Sequence, residues 1–238
     1  MEFGHVARVV IADDEPVLRR GLRTSVESTG EFHVVAEAAD GREAVEAVRT
    51  HLPDILLLDL RMPRMNGLEV TAALRTPQSA AEADDEAVAG ADAHIVVTTG
   101  FGLDSDVEQA LALGADGFLP KDTPRQELLA VLRAVRDGDA AMSPQALRHV
   151  LGAFAAPGGA QRREARERLG VLSPRDAEVL GLVAEGLSNR EIGERLHLAE
   201  ASVQGRVGRM LAELGAASRV QLALLARAAG SGAQGPPR

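Results

Sequence analysis

Side chains with phosphoryl-transfer or metal-binding chemistry recur along the first half of the chain, each at the end of a short apolar run. The residues are Asp13 and Asp14 after VARVVIA, Asp59 after ILLL, Thr98 and Thr99 at the end of HIVVTT, and Lys121 after DGFLP. Lys121 is the only lysine of the chain, and every other basic residue is arginine. The sequence therefore offers three carboxylates, a hydroxyl and one ammonium that could act together.

Such a set of groups suits phosphoryl transfer to a carboxylate. Oxygen ligands from two or three aspartates favour Mg²⁺, which readily bridges to a phosphoryl oxygen. Asp59 is the best placed nucleophile, and its attack on a phosphoryl donor would give an acyl phosphate. The metal on one side, with Lys121 and the Thr99 hydroxyl on the other, would offset the charge that develops on oxygen. A compact ammonium can follow a phosphoryl oxygen where a planar guanidinium needs more room, which explains the single lysine.

This chemistry requires that the groups converge, and the pattern of the first half predicts that they do. Five apolar runs alternate with five helical patterns, which is typical of an α/β fold with a doubly wound parallel sheet. In such sheets ligands bind beyond the carboxyl ends of the strands, where these side chains lie.

Composition excludes several other classes of site. The chain has no cysteine, and its six histidines are scattered without the spacing of metal ligands, which excludes zinc sites and cysteine catalysis. No signal pattern opens the sequence and no apolar run approaches the ~18 residues of a membrane helix, so the prediction is a cytoplasmic protein that does not contact a membrane. Residues 1–128 hold 24 acidic and 11 basic residues, whereas residues 129–238 hold 11 and 15, which indicates two different surfaces.

An insertion and a linker interrupt the regular pattern, and a helical part follows them. Residues 76–93 form an alanine-rich acidic insertion that reads as a solvated loop. Residues 143–169 read as a linker with helical pieces and a solvated arginine–glutamate face. From Ser173 onward, "SPRD" and "SNRE" are helix starts, and the pattern favours four compact helices that form a helix-turn-helix unit.

Residues 6–137 resemble the receiver domain of bacterial two-component response regulators, whose fold is the flavodoxin-like doubly wound sheet. The resemblance lies in "VVIADDEPVLRRGL", "DILLLDLRMPRMNGLE", "VVTTGF" and "GADGFLPKD". It implies that Asp13 and Asp14 help to hold Mg²⁺, that Asp59 accepts the phosphoryl group, and that the Arg61 carbonyl completes the metal site. It also implies that a sensor histidine kinase is the phosphoryl donor.

The same resemblance identifies the switch residues. Counting back from Lys121 assigns the switch hydroxyl to Thr99 rather than Thr98, and the rotating aromatic residue is Phe118. The chain departs from the family at Pro120, where an aliphatic residue is usual, and at Gly100 and Gly102 after Thr99.

Residues 172–226 resemble the LuxR-type helix-turn-helix, so the whole chain is identified as a member of the NarL/FixJ family. The recognition helix would run from Ser202 through Leu214 in the major groove of promoter DNA, and activation would produce a homodimer. The candidate DNA contacts are Asn189, Arg190, Ser202, Val203, Gln204, Arg206 and Arg209. The domain boundaries predicted from the two resemblances are 1–140 for the receiver, 141–171 for the linker, 172–229 for the LuxR-type domain and 230–238 for a disordered tail.

The DNA-facing chemistry of this second domain is sparse. Ala199 cannot cap the recognition helix, a loss of roughly 1 kcal/mol. Gly205 and Gly208 each cost that helix roughly another 1 kcal/mol. Between Ser173 and Ala226 six arginines stand against seven acidic residues. Such a module should bind duplex weakly as a monomer and depend on salt and on dimerisation.

The prediction is therefore a transcriptional regulator controlled by Mg²⁺-dependent phosphorylation of Asp59, with self-catalysed phosphoryl transfer and dephosphorylation but no turnover of a separate substrate. A protein-interaction regulator whose helix-turn-helix has lost DNA binding is the alternative. A phosphohydrolase of the aspartyl-nucleophile type would need a second Asp at position 61, which is arginine.

Overall fold

The structure, a computed structural model, describes residues 6–75, 93–100, 105–140 and 159–230. The chain divides into two compact units, Met1–Arg136 and Asp137–Arg238. The acidic insertion, apart from its last residue Ala93, and residues 231–238 of the predicted tail lie outside the described residues.

The first unit is built on a parallel five-stranded sheet, which confirms the predicted fold class. The strands are β1 (Ala7–Ala12), β2 (Phe32–Ala38), β3 (Ile55–Asp59), β4 (His94–Thr99) and β5 (Gly117–Pro120). Their order across the sheet is β2-β1-β3-β4-β5, and all four pairings are parallel. Every residue of the central strand β3 is buried, as expected for a strand covered on both faces.

Five helices of this unit alternate with the strands. They are α1 (Pro16–Glu27), α2 (Gly41–His51), α3 (Gly67–Arg75), α4 (Ser105–Leu113) and α5 (Arg125–Arg136). The start of α2 is fixed by Asp40, whose carboxylate accepts hydrogen bonds from the backbone N–H groups of Arg42 and Glu43. The alternation carries the ends of β1, β3, β4 and β5 to one edge of the sheet.

The second unit is helical in its described part, as predicted. Its helices are α6 (Gly159–Leu169), α7 (Pro174–Ala184), α8 (Asn189–Leu196), α9 (Glu200–Leu214) and α10 (Arg219–Ala229). Ser173 caps α7, and Ser188 with Glu191 forms a complete capping box on α8, as the sequence indicates. Ala199 makes no side-chain cap on α9, also as predicted. The α8–α9 turn is tight, because a Cβ on Gly193 would lie 2.7 Å from the Leu198 carbonyl oxygen.

Helix α6 falls within the predicted linker and packs against α10. Arg166 Nε donates to the Ala229 carbonyl at 2.8 Å, and Arg168 Nη2 donates to the Leu214 carbonyl at 2.5 Å. These guanidinium groups satisfy the ends of α10 and α9, where cations are favoured by the helix dipole. Both residues are nonetheless exposed, as predicted for a solvated arginine face, and the hydrogen bonds tie this face to the neighbouring helix ends.

Among the described helices, none combines the length and the apolar character that crossing a membrane requires.

Candidate functional site

The strand ends of the first unit surround an open pocket of about 410 Å³. Its lining includes five residues that the sequence analysis predicted for the site: Asp14, Asp59, Arg61, Thr99 and Lys121. Leu60, Gly100, Glu15 and Asp106 complete the lining. The predicted convergence of carboxylates, hydroxyl and ammonium at this edge is therefore observed.

Lys121 is the centre of the charge arrangement. Its Nζ lies 2.8 Å from Asp13 Oδ2, 2.9 Å from Asp59 Oδ2 and 3.6 Å from Glu15 Oε1. The Asp13 and Asp59 side chains are almost fully buried, and that of Lys121 is 16% exposed. The ammonium thus bridges two buried carboxylates whose mutual repulsion would otherwise be large.

Burial and the ion pair oppose each other in setting protonation. Burial raises the pKa of Asp59, although the hydrogen bonds from Lys121 and from the Arg61 N–H partly offset it. Burial alone would lower the pKa of Lys121, but its hydrogen bonds to Asp13 and Asp59 outweigh this and raise it. These two pKa shifts disagree about the ion pair. The raised pKa of Asp59 favours its neutral form, whereas the raised pKa of Lys121 favours its charged form. With Nζ at 2.9 Å and the Arg61 N–H at 3.2 Å from its oxygens, we take Asp59 to be ionised in contact with a charged lysine.

The acidic residues of the pocket fit a divalent metal. Asp13, Asp14 and Asp59 each offer a carboxylate oxygen, and these atoms all lie within 4.8 Å of one another. An all-oxygen donor set on one side of an open pocket could bind a hard cation that retains water ligands. Asp14 is exposed while the other two are buried, so solvent reaches the cluster from one side.

The two threonines at the end of β4 line different cavities. Thr99 lines the open pocket with Asp59 and Lys121. Thr98 lines a smaller cavity with Leu18, Leu22 and Leu128. Successive residues of a strand point to opposite faces, so only one of them can face Asp59. Phe118 is half-buried on β5, in register with Val97 of β4.

Close backbone approach positions the loop after Asp59. A Cβ on Gly67 would lie 2.5 Å from the Asp59 carbonyl oxygen and 2.8 Å from the Leu60 Cα, so only glycine fits. Arg64, at a positive φ of 65°, forms ion pairs with Asp40 and Glu43 at the start of α2. This loop is therefore held from both of its ends.

Sequence reasoning missed two acidic residues of the pocket. Glu15 lies 3.6 Å from Lys121, and Asp106 on α4 forms an ion pair of 3.7 Å with the Arg61 side chain. Glu15 directly follows the two aspartates, and that adjacency was an available signal. Asp106 carries no such signal, because its approach to Arg61 depends on the placement of α4.

The candidate DNA contacts of the second unit differ in accessibility. Four of them are exposed: Arg190, Ser202, Gln204 and Arg209. Val203 is fully buried, so the structure removes its side chain from the candidates, because it packs in the core between the helices. Asn189 is also fully buried. Arg206 is mostly buried and pairs with Asp176 of α7 at 2.6 Å.

A doubly wound parallel sheet with an acidic pocket and a bridging lysine defines a receiver domain. Residues 9–133 match the family "Response regulator receiver domain", and residues 170–226 match "Bacterial regulatory proteins, luxR family". The chain is 35% identical to the nitrate/nitrite response regulator protein NarL of Escherichia coli (strain K12), over 92% of this chain and 94% of that protein. It is 34% identical to the probable transcriptional regulatory protein NarL of Mycobacterium tuberculosis (strain ATCC 25618 / H37Rv), over 89% of each chain.

One crystal structure, of a LuxR-family two-component response regulator from Aurantimonas sp. SI85-9A1, is 32% identical with a TM-score of 0.51, and covers 61% of this chain and 96% of that one. The chain belongs to the NarL-type two-component response regulators, DNA-binding transcription regulators that join a receiver to a LuxR-type helix-turn-helix. Phosphorylation by a kinase is typical of this family.

Proposed function

We propose that this regulator is switched when a sensor histidine kinase phosphorylates Asp59 in a Mg²⁺-dependent step. The observation that carries the proposal is the bridge that Lys121 forms between Asp13 and Asp59 beside an open pocket. Asp13, Asp14, Asp59 and the Arg61 carbonyl would hold the metal, which supplies positive charge against the phosphoryl oxygens when bound.

Phosphoryl transfer conserves charge and atoms without a further reactant. A carboxylate oxygen of Asp59 attacks the phosphorus of the donor phosphohistidine, the O–P bond forms as the P–N bond breaks, and the donor imidazole takes up a proton. Lys121 pairs with a phosphoryl oxygen and offsets the charge that accumulates on it. The half-buried pocket admits the donor and later a water, so the acyl phosphate decays by self-catalysed hydrolysis rather than by turnover of a separate substrate.

The new dianionic group is the signal. Thr99 lines the same pocket as Asp59, which supports its assignment as the hydroxyl that moves toward the phosphoryl group. Phe118, half-buried on the neighbouring strand, would follow and alter the face formed by α4, β5 and α5.

Output is proposed to be a two-fold homodimer on promoter DNA with two half-sites. The exposed side chains Ser202, Gln204 and Arg209 of α9, with Arg190 of α8, are the proposed contacts. The match over residues 9–133 falls inside the predicted receiver (1–140), and the match over residues 170–226 covers most of the predicted LuxR-type domain (172–229) but begins two residues before it, which supports these boundaries to within a few residues.

The test uses the full chain with beryllofluoride and Mg²⁺ in place of the acyl phosphate. Protein with and without this mimic is incubated with fragmented genomic DNA at about 100 mM salt, where phosphate contacts still contribute, and the retained fragments are sequenced. We expect a repeated half-site that is enriched on activation, and no activation in Asp59→Asn. If Asp59→Asn still took up a phosphoryl group and responded in DNA binding, the mechanism would be wrong. Retention of no fragment in either state would favour the protein-interaction alternative.

A further inference from the structure

The loop between β3 and α3, residues 60–66, carries one of the proposed metal ligands. That ligand is the backbone carbonyl of Arg61, whose own N–H donates to Asp59 Oδ1 at 3.2 Å. A backbone oxygen has no side-chain rotamer with which to reach a metal, so its place is set by the path of the loop. The contacts that fix the 60–66 loop therefore bear directly on the proposed site.

The second half of this loop lies directly against the start of α2. A Cβ on Gly41, the first residue of α2, would meet the Met65 carbonyl oxygen and would lie 2.7 Å from Val70 Cγ2. Only glycine allows two backbones to approach this closely. The start of α2 is therefore the surface on which the loop is seated.

An ion pair joins the same two elements. Asp40, the cap of α2, is fully buried, and its Oδ1 accepts hydrogen bonds from the Arg42 and Glu43 N–H groups at 2.7 and 3.0 Å. Its Oδ2 is buried and receives no hydrogen bond within the described part of the chain. The Arg64 guanidinium forms an ion pair with this second oxygen. Because a buried carboxylate is costly without a partner, the pair matters more than an ion pair between two exposed residues.

The backbone of Arg64 is held in an unfavourable conformation. Its φ is 65°, in the left-handed region, which is disfavoured for a residue with a Cβ. Such a conformation persists only where the surrounding contacts fix it, and it is found most often near functional sites. Arg64 is bound by the ion pair with Asp40 and by a second one of 3.3 Å to Glu43 Oε1. The side chain of Arg64 thus stabilises a loop conformation that its own backbone does not favour.

We propose that the Arg64–Asp40 ion pair sets the affinity of the proposed site for Mg²⁺, by holding the 60–66 loop where the Arg61 carbonyl can serve as a ligand. The inference rests on the proposed function, since it requires that Mg²⁺ binds beside Asp59. Neither Arg64 nor Asp40 lines the pocket. Both are therefore positioning residues, which act on the metal through the loop rather than by contact.

The chemistry of Mg²⁺ makes its affinity sensitive to such positioning. This ion requires nearly ideal octahedral geometry, so a displaced oxygen loses much of its value as a ligand. Loss of the outer contacts that orient ligands typically lowers metal affinity by about 10- to 100-fold. Since the pair would orient only one of the proposed ligands, we expect an effect at the low end of that range.

The test measures Mg²⁺ binding by the full chain without a phosphoryl donor, followed by the shifts of backbone amide NMR signals around Asp13 and Asp59. Arg64→Gln removes the cation of the pair. Asp40→Asn removes the anion but keeps the helix cap, because asparagine caps as well as aspartate. Arg64→Lys keeps the charge. The control is Arg42→Gln, at an exposed arginine in the first turn of α2, which changes the net charge as Arg64→Gln does.

We expect Arg64→Gln and Asp40→Asn each to weaken Mg²⁺ binding about 10-fold. The double variant should bind no more weakly than either single one, because the two changes break the same contact. Arg64→Lys should stay within about 3-fold of the unmodified chain, and Arg42→Gln within about 2-fold.

The two single variants change the net charge in opposite directions, which separates positioning from long-range attraction. If charge alone acted, loss of the Arg64 cation would strengthen Mg²⁺ binding and loss of the Asp40 anion would weaken it. Opposite shifts of affinity would therefore overturn the inference and leave the proposed function in place.

Two further outcomes are also decisive. If both variants lower the thermal transition of the first unit but bind Mg²⁺ as the unmodified chain does, the pair is only structural and the inference fails. If the unmodified chain itself shows no Mg²⁺-dependent shift around Asp13 and Asp59, the proposed function fails together with the inference. Should Arg64→Gln not fold, Asp40→Asn and Arg64→Lys decide the question in the same way.

Discussion

The acidic pocket of the first unit and the DNA-facing surface of the second use charged residues in opposite ways. In the pocket, one ammonium faces several carboxylates, so charge is concentrated at the site of the proposed phosphoryl transfer. In the second unit, five of the described arginines form ion pairs with acidic residues of the same unit. These pairs are Arg175–Glu178, Arg190–Glu194, Arg195–Glu185, Arg206–Asp176 and Arg219–Asp139. Among the described residues, Arg209 has no such ion pair. Concentrated charge marks the pocket proposed to react, whereas the ion pairs of the second unit lie within and between its helices.

The largest expected effect would come from Lys121. Lys121→Met leaves the Asp13 and Asp59 carboxylates facing each other without a cation, and it removes the charge that we propose stabilises the transferring phosphoryl group. We expect the rate of phosphorylation by a small phosphodonor with Mg²⁺ to fall by roughly 10²- to 10³-fold, as for other lost electrostatic contacts. Phosphoryl incorporation is followed by intact mass, with Asp59→Asn as the blank.

Lys121→Arg sharpens this test, because it keeps the charge and changes only the shape. It should not restore the rate if the pocket requires a compact ammonium. A rate near that of the unmodified chain in Lys121→Met would show that the charge concentration in the pocket is incidental. The same rate in Lys121→Arg would show that a guanidinium serves as well as a compact ammonium.

Substitution of Gly67 tests how tightly the backbone next to Asp59 is held. Gly67→Ala forces a Cβ against the Asp59 carbonyl and the Leu60 Cα, and both are backbone atoms that cannot move aside cheaply. We expect the free energy of unfolding of the first unit to fall by about 3 kcal/mol in denaturant titrations.

The matched control is Gly21→Ala in α1. A Cβ there meets nothing within 4 Å, so the change should stabilise the helix by roughly 0.5–1 kcal/mol. Equal effects at the two glycines would contradict a tightly held loop.

The difference between the two regions also explains what could be predicted from sequence. Asp13, Asp59, Thr99 and Lys121 were predictable because strand ends of a parallel sheet must meet at one edge. The roles of Arg206 and Arg168 were not, because Asp176 and the Leu214 carbonyl lie 30 and 46 residues away in the chain. A helical pattern shows neighbours three or four residues apart, whereas these partners depend on how whole helices pack.

Substitution of Arg168 tests how far the stability of the second unit depends on arginines that bind within the unit. Arg168→Gln removes a charged hydrogen bond to the Leu214 carbonyl at the end of α9, which should cost about 1.5 kcal/mol of unfolding free energy. Arg163→Gln, on an exposed residue of the same helix, should change it by less than about 0.5 kcal/mol. Similar values for the two variants would indicate that α6 contributes only a solvated face.

Substitution of Arg209 tests whether an arginine without an ion pair contributes more to DNA binding than an arginine that has one. Arg209→Gln should weaken duplex binding about 5-fold and reduce the salt slope by about one phosphate contact. Arg206→Gln should weaken binding less, because Arg206 is engaged by Asp176, but it should lower the stability of the second unit. The reverse order in a salt titration of both variants would assign the DNA contact to Arg206 instead.

The smallest expected effect is a difference between the two units in how their stability depends on pH. His94 Nδ1 lies 3.2 Å from Asp116 Oδ1, and Arg75 holds the other oxygen of that carboxylate at 2.8 Å. Burial alone would lower the pKa of His94, but the Asp116 hydrogen bond and charge outweigh burial and Arg75, with a further contribution from Asp54, and the pKa is raised.

A raised pKa in the folded state means that this pair stabilises the first unit fully below the unfolded pKa of about 6.5, and that the contribution is lost as pH rises through the folded value. In the second unit the sign is opposite. The Ser173 hydrogen bond, with the hydrogen bond and charge of Arg206, outweighs burial and lowers the pKa of Asp176. Its contribution is therefore present above the unfolded pKa of about 3.9 and is lost as pH falls through the folded value.

Both contributions should stay below about 1 kcal/mol, because His94 is 36% exposed and Asp176 lies near the surface. Unfolding of the full chain is measured across pH for the unmodified protein, His94→Gln and Asp176→Asn. The loss caused by His94→Gln should shrink toward alkaline pH, and the loss caused by Asp176→Asn should shrink toward acid. If both losses of stability shrank in the same direction of pH, the two charge pairs would depend on pH with the same sign. The contrast between the two units would then be limited to the pocket of the first.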